Sequence, residues 1–203
     1  MSRRVLLVMV IGALIYGTGR AACAQAAPSA LPGAAPLEVT LAYSADRTNG
    51  VAGGCGCFWL SGGRAEANAS LAYGISIVSQ IAGEHASKIG STLDSLSFVS
   101  YLFGPRYSFR NHSRLLPFVQ FLVGGVHGFD GLFPGPGVLI PNPDAFAFAA
   151  GGGLNLNLTP HFAMRVAQAD YFQSQLPNDA SNVENHLQLS AGIVLRFPSA
   201  KPR

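Results

Sequence analysis

Residues 186–197 alternate regularly between apolar residues and residues that are mostly polar or small. The apolar positions, all of one parity, are Leu187, Leu189, Ala191, Ile193, Leu195 and Phe197. A period of two predicts a β-strand with different environments on its two faces. The apolar face of such a strand packs either on a protein core or against lipid.

The first residues have the three parts of a secretory signal peptide. Two basic residues, Arg3 and Arg4, precede an apolar run from Val5 to Tyr16, and small residues follow around Ala24. The run is too short for a membrane-spanning helix, which needs about 20 residues. We therefore predict a cleaved signal peptide at 1–27 and a linker rich in proline and alanine at 28–36.

Cys23 lies after small residues, as the lipidated cysteine of a lipoprotein signal does. Arg20, however, occupies a position where such signals usually have an apolar residue. We expect Cys23 to be removed with the signal peptide. Lipidation of Cys23 is the alternative.

The composition indicates a membrane β-barrel. Hydrophobic residues make up 49% of the chain and charged residues only 11%, whereas about 25% is usual for soluble domains. No later segment has 18 consecutive apolar residues, so spanning helices are not predicted. The net charge of +3 comes from three arginines before residue 28, and no nucleic-acid partner is expected.

Eight alternating stretches follow the linker. We predict strands at residues 37–45, 58–68, 73–82, 94–109, 115–128, 145–158, 161–174 and 185–197. The connections after the second, fourth and sixth strands are short, and the others are long. Short turns at one end and long loops at the other are typical of outer-membrane barrels, and place both termini on the periplasmic side.

The seventh strand interrupts its own alternation. Arg165 cannot point inward together with Gln168 and Asp170 in one regular strand, because three residues separate the first two. We predict a β-bulge near Val166 and Ala167, which shifts the phase by one residue. The alternative is that Gln168 or Asp170 lies at the rim of the barrel.

Together with the signal and the eight alternating strands, three local features carry a family resemblance. They are the stretch Leu102-Phe103-Gly104-Pro105-Arg106-Tyr107, the glycines at 151–153 and the aromatic end of the last strand. Over about residues 36–197 the chain resembles the small outer-membrane β-barrel proteins of the OmpA and OmpX type. The usual terminal aromatic is followed here by a tail, residues 198–203.

The resemblance implies an all-β fold, an eight-stranded antiparallel up-and-down transmembrane β-barrel over 37–197, in the cell outer membrane. It implies outer-membrane lipid, lipopolysaccharide and the outer-membrane assembly machinery as partners. We expect a monomer without cofactor or catalytic activity, in a structural or surface-interaction role. The alternatives are a narrow small-solute pore, a loop-based adhesin, a lipid A-modifying enzyme and a secreted soluble ligand-binding barrel.

Charged residues inside a barrel of this size must pair, because the lumen is filled by side chains. We expect Arg106 and Arg165 to meet Glu38, Glu66 or Asp170 in an interior polar network. A structural role is favoured for this network, and a gated pore is the functional alternative.

The remaining charges sort by the predicted topology. The long-loop side has Asp46, Glu84, Asp94, Asp130, Asp144, Asp179 and Glu184 against Arg47 and Lys88. The short-turn side and the tail have Arg110, Arg114, Arg196, Lys201 and Arg203. We therefore expect an acidic outer rim, which would meet lipopolysaccharide phosphates through divalent cations, and a basic periplasmic rim.

Two further motifs lie in predicted loops. Cys55 and Cys57 are expected to form a small loop disulfide; a soft metal is the alternative, but no histidine or third cysteine lies near enough in sequence to complete a site. The segment Glu84-His85-Ala86-Ser87 combines the residue types that some barrel-type lipid A deacylases use. We expect a solvated loop there, without a strand to hold the two side chains beside lipid.

The connection from Gly128 to Asp144 is apolar and rich in proline. An exposed apolar loop of this kind can form a partner or lipid surface. We favour the alternative that it folds over the mouth of the barrel.

Overall fold

The computed structural model describes residues 37–48, 58–87, 95–109, 113–129, 132–135, 138–177 and 182–197. The predicted signal peptide, the linker, all three cysteines and the tail lie outside these ranges. In the described residues, no helix is long and apolar enough to cross a membrane.

The described chain is almost entirely β-structure. The strands are β1 (Leu37–Thr48), β2 (Phe58–Ala72), β3 (Ile75–Ala86), β4 (Leu96–Ser108), β5 (Leu115–Phe129), β6 (Leu132–Gly135), β7 (Val138–Pro141), β8 (Asp144–Asn157), β9 (Phe162–Ser174) and β10 (Glu184–Phe197). Eight of them have 12 to 15 residues, enough for a tilted strand to cross a bilayer. The short strands β6 and β7 are the exception.

The eight long strands form one closed antiparallel barrel. Its order is β1-β2-β3-β4-β5-β8-β9-β10, and β10 pairs with β1 to close it. The predicted fold and its eight strands are confirmed. We call the end with the connections 49–57, 87–95, 130–143 and 175–183 the long-loop end, and the opposite end the short-turn end. The hairpin β6–β7, which the sequence did not predict, lies in the connection between β5 and β8.

One turn lies further along the chain than predicted, at 73–74 and not at 69–72. Tyr73 and Gly74, which were assigned to the third strand, form the turn between β2 and β3 and have φ angles of 51° and 87°. Ala72 pairs with Ile75, so the loop has two residues, both left-handed, as in the type I′ hairpins that match the twist of a sheet. The prediction missed it because tyrosine seldom adopts a positive φ.

The predicted bulge in β9 is present. Arg165 is opposite Gly192 and Gln168 is opposite Ser190 on β10, so two residues of β9, Val166 and Ala167, face one residue of its neighbour. Arg165, Gln168 and Asp170 are consequently all buried in the lumen. The alternative of a rim position for Gln168 or Asp170 is wrong.

The outer surface of the barrel is an apolar belt. Aliphatic and aromatic side chains from every long strand are exposed on it, among them Leu41, Ile81, Phe121, Phe146 and Ile193. Aromatic residues are concentrated near both ends, with Tyr73, Tyr107, Phe109 and Phe197 at the short-turn end and Trp59, Phe146 and Tyr171 at the long-loop end. An apolar band between two aromatic girdles is the surface that a bilayer solvates.

The barrel interior as the candidate functional site

The lumen contains a charged cluster centred on Glu66 of β2. Arg106 of β4 donates from Nη2 to Glu66 Oε2 at 2.6 Å, and Arg165 of β9 donates from Nη1 to the same oxygen at 2.5 Å. All three side chains are at most 1% exposed. One carboxylate therefore neutralises parts of two guanidinium groups that come from distant strands.

An aromatic ring supports both arginines. The Cζ atoms of Arg106 and Arg165 lie 4.3 Å and 4.8 Å from the ring centroid of Phe118 on β5. The ring has room because residue 153 is glycine, where a Cβ atom would lie 2.7 Å from Phe118 Cζ. Cation–π attraction thus adds to the ion pairs in fixing the two guanidinium planes.

A second ion pair continues the cluster. Arg64 donates from Nη1 to Asp170 Oδ2 at 2.7 Å, and Gln168 donates from Nε2 to the same oxygen at 2.6 Å. Gln120 joins the two halves, because its Oε1 accepts from Arg106 Nε at 3.0 Å and its Nε2 donates to Asp170 Oδ1 at 3.2 Å. The network therefore spans the lumen as one connected set of hydrogen bonds.

The network extends towards the long-loop end through Gln188. Its Oε1 accepts from Arg64 Nη2 at 2.8 Å, and its Nε2 lies 3.3 Å from Asp46 Oδ2 and 3.4 Å from Glu84 Oε1. Asp46 and Glu84 are only 0% and 3% exposed. Their assignment to an acidic outer rim was wrong, because β1 and β3 continue past them with the same alternation and turn both carboxyl groups inward.

Glu38 lies apart from this cluster. It accepts from Arg196 Nε at 2.8 Å and from Asn68 Nδ2 at 3.0 Å near the short-turn end. Of the three carboxylates that the sequence offered as partners, both Arg106 and Arg165 use Glu66, and Glu38 pairs with Arg196 instead. The placement of Arg196 on a basic rim is also wrong, because this residue is 4% exposed and points into the barrel.

An apolar layer fills the lumen at the long-loop end. Its buried members include Leu60, Ala86, Val126, Ala147 and Leu176. At its centre, Phe98 and Phe172 stack with ring centroids 6.2 Å apart, and His186 contacts both rings edge-on. The described part of the lumen is therefore occupied at two levels, first by this layer and then by the charged network.

The segment 84–87 lies at the end of a strand and not in a loop. Strand β3 extends to Ala86, and His85 and Ser87 are exposed on the outer side, while Glu84 points into the lumen. His85 Nδ1 lies 2.8 Å from Ser97 Oγ on β4. Because the sheet separates Glu84 from His85, this carboxylate cannot orient the imidazole as an acid–base–nucleophile triad requires.

Within the described ranges, no group of three or more His, Cys, Asp or Glu residues is arranged to hold a metal ion. Cys55 and Cys57 lie outside those ranges, so their pairing stays a prediction. The apolar connection 128–144 contains the hairpin β6–β7. The side chains of 130–139 lie outside the described residues, so the folding of this connection over the barrel mouth stays a prediction.

Of the five residues predicted for the interior network, the structure brings Glu66, Arg106, Arg165 and Asp170 together and separates Glu38 from them. The sequence interpretation did not assign Gln120 or Gln188 to this network. The alternation of their strands nevertheless predicts that both point inward, since each has the parity of an interior charge or small residue on its own strand. The partners of each side chain could not be read in that way.

The fold and the surface define a small membrane-type β-barrel, with an apolar outside and a polar, filled inside. The architecture is that of the small outer-membrane β-barrel proteins. Two proteins of known structure illustrate it. The neisserial surface protein A is similar at a TM-score of 0.60 and 15% identity, over 80% of this chain and 97% of that protein.

Ail, the attachment invasion locus protein of Yersinia pestis, is similar at a TM-score of 0.53 and 18% identity, over 79% of this chain and 97% of Ail. A further structure of Ail, in complex with the heparin analogue sucrose octasulfate, gives a TM-score of 0.52. At these identities the likeness concerns the fold. No protein-family model matches the sequence. No curated protein matches it either.

Proposed function

We propose that the protein is an integral outer-membrane β-barrel whose filled lumen acts as a rigid anchor for its long loops. The role is structural or one of surface interaction, and it needs no catalytic site. The apolar belt supports the membrane location, because lipid solvates such a surface. The closed barrel supports it as well, because only helices and closed barrels avoid unpaired backbone groups in hydrocarbon. The fold shared with outer-membrane proteins agrees with this location.

Two layers of side chains occupy the lumen, and they are the main support for the proposal that the barrel is not a pore. The layer around Phe98 and Phe172 occupies the long-loop end, and the network around Glu66 crosses the middle of the barrel. An eight-stranded barrel is only just wide enough for its own interior side chains. A solute would have to displace both an apolar layer and a set of paired charges.

Conductance in planar lipid bilayers tests the anchor against the pore. We expect no discrete current steps from the purified, folded protein. Reproducible single-channel steps that disappear when the same sample is heat-unfolded before addition would contradict the proposal. A porin reconstituted in the same bilayers is the positive control.

Fractionation tests the location separately. We expect the protein to sediment with outer membranes and to migrate faster on a gel before heating than after it, as compact barrels do. Release with the soluble periplasmic contents would reject the membrane barrel and favour a secreted soluble one.

The surface role depends on the long-loop end. All the long connections emerge there, whereas Tyr73 and Gly74 alone connect β2 to β3 at the other end. Loops held by a rigid scaffold are the usual place of recognition in proteins. Proteolysis of intact cells should therefore cut within the long connections and leave the barrel strands intact.

A further inference from the structure

Three outward side chains lie together at the long-loop end of neighbouring strands. Arg47 of β1 is directly opposite Trp59 of β2, and its Cζ lies 6.0 Å from the ring centroid of Trp59. His85 of β3 is opposite Ser61, two residues from Trp59. All three are exposed on the outer surface. We call Arg47, Trp59 and His85 the edge group.

No carboxylate of the described parts of β1, β2 and β3 shares this outer face. The acids next to the edge group in sequence, Asp46 and Glu84, point into the lumen and are engaged there with Gln188. The edge group therefore presents a guanidinium, an indole and an imidazole to the outside. This combination binds anions at the surface of a bilayer, because arginine pairs with phosphate and tryptophan prefers the interface.

A groove of about 700 Å³ lies on the lipid-facing side of the same strands, nearer the middle of the barrel. Its floor includes Gly63, Ala65 and Gly83, and its walls include Leu41, Tyr43 and Ile81. Gly83 is two residues from His85 along β3, so the groove begins close to the edge group. Its lining is almost wholly apolar, and the small residues on the floor are flanked by the larger side chains of the walls.

The two glycines on the floor are not required by the packing of the barrel. A Cβ atom at Gly63 would have only Ala42 O nearby, at 4.0 Å, and one at Gly83 would make an ordinary contact with Val99 at 3.8 Å. Outward-facing Gly125 differs, since the ring of Tyr101 covers it within 2.8 Å. Glycine inside a strand weakens it and often indicates that another molecule approaches closely.

We propose that the edge group and the groove together bind one molecule of lipid A, the phosphorylated and multiply acylated glycolipid of the outer leaflet. A phosphate of lipid A contacts Arg47 and His85, and one acyl chain lies in the groove over Gly63 and Gly83. This proposal rests on the proposed outer-membrane location, which puts the long-loop end in that leaflet. It replaces the expected contact through an acidic rim and divalent cations, because two of the acids face inward.

Trp59 is the single tryptophan of the chain, so its fluorescence reports directly on the edge group. The test titrates lipid A into the folded protein in micelles of a neutral detergent. We expect a saturable change of the Trp59 emission. Phosphatidylglycerol, which also has a phosphate and acyl chains, should require at least about fivefold more lipid for half the change.

Two variants separate the head and tail contacts. Arg47→Gln should weaken lipid A binding about fivefold, the effect expected for one basic side chain at a membrane surface. Gly63→Leu, which fills the groove without a clash inside the barrel, should weaken it by at least as much, and Gly83→Leu should do the same. Ala67→Leu, an exposed position of β2 outside the groove, is the matched control and should stay within about twofold of the unaltered protein.

The outcomes distinguish the site from the location. Every variant is first required to show the gel shift of a folded barrel, and failure of the unaltered protein to show it would reject the proposed function. If the folded protein binds lipid A and phosphatidylglycerol equally, or if Gly63→Leu and Gly83→Leu both bind like Ala67→Leu, the lipid A site is rejected while the membrane barrel stands.

Discussion

Glu38 and Arg196 lie directly opposite each other in the first and last barrel strands, and Arg196 Nε donates to Glu38 Oε1 at 2.8 Å. The pair therefore joins the two ends of the barrel sequence across the seam that closes it. Both residues are largely buried, at 8% and 4% exposure. Their contact is a local one between neighbouring strands, unlike the contacts of the central network.

We predict that Glu38→Ala destabilises the folded barrel by about 3 kcal/mol, since it leaves the guanidinium of Arg196 buried without its carboxylate. Urea unfolding in lipid vesicles, followed by the gel shift, measures the change. The double variant Glu38→Ala, Arg196→Met is the control and should recover a large part of the loss. Equal destabilisation by the single and the double variants would show that the pair has no coupling.

Glu66→Ala should have a larger effect than Glu38→Ala. It removes the one carboxylate that two arginines share, so we expect a loss of about 5 kcal/mol or a barrel that does not fold. Glu66→Gln keeps one acceptor oxygen, so its destabilisation should lie between those of Glu38→Ala and Glu66→Ala. The same urea experiment ranks the three variants, and a Glu66→Ala barrel as stable as Glu38→Ala would contradict a central role for this carboxylate.

Deletion of Val166 should prevent folding. Without the extra residue of the bulge, the alternation beyond it reverses and turns Gln168 and Asp170 towards lipid. This breaks the buried Arg64–Asp170 ion pair, at a cost of about 3 kcal/mol. The yield of the compact gel form after dilution from urea into vesicles measures folding. Val166→Ala keeps the register and is the control, which should fold normally. A deletion variant that folds in full yield would show that the bulge does not set the phase.

The protein should leave lipid A intact. His85 contacts Ser97, and Glu84 lies on the other side of the sheet, so no acid of the described β3 and β4 faces outward beside His85 as a triad needs. Mass spectrometry of lipid A from cells with and without the protein should give the same acyl composition. Loss of an acyl chain that depends on Ser87 would overturn this expectation and favour a deacylase.

The central network shows where sequence reasoning ended. The parity of Arg106, Arg165 and Glu66 in their strands predicts that each points inward, and that follows from the sequence alone. The pairing does not, because Arg165 and Glu66 are 99 residues apart and come from strands that are not neighbours in the barrel. Side chains that meet across a lumen are selected by the stagger of the strands, which no local pattern encodes.

The ends of the strands were the second difficulty. Asp46 lies one residue beyond the predicted end of the first strand, yet β1 extends to Thr48 and keeps Asp46 inside. Arg196 was placed on the rim although its own alternation pointed it inward. Whether a charge at such a position meets water or a partner depends on the neighbouring strand, which supplies Glu38 in this case.

The sequence by itself determined which face of each strand meets lipid, since a period of two with one apolar parity leaves no other arrangement for a closed sheet in a membrane. It also predicted the bulge, because three inward polar residues could not share one regular strand, but the structure was needed to reject a rim position for Gln168 or Asp170. Only the tertiary structure decided which buried charges pair, that Asp46, Glu84 and Arg196 belong to the interior, and that a groove opens below Arg47 and His85. The physical reason is that these relationships depend on the register and stagger between strands that are distant in the chain.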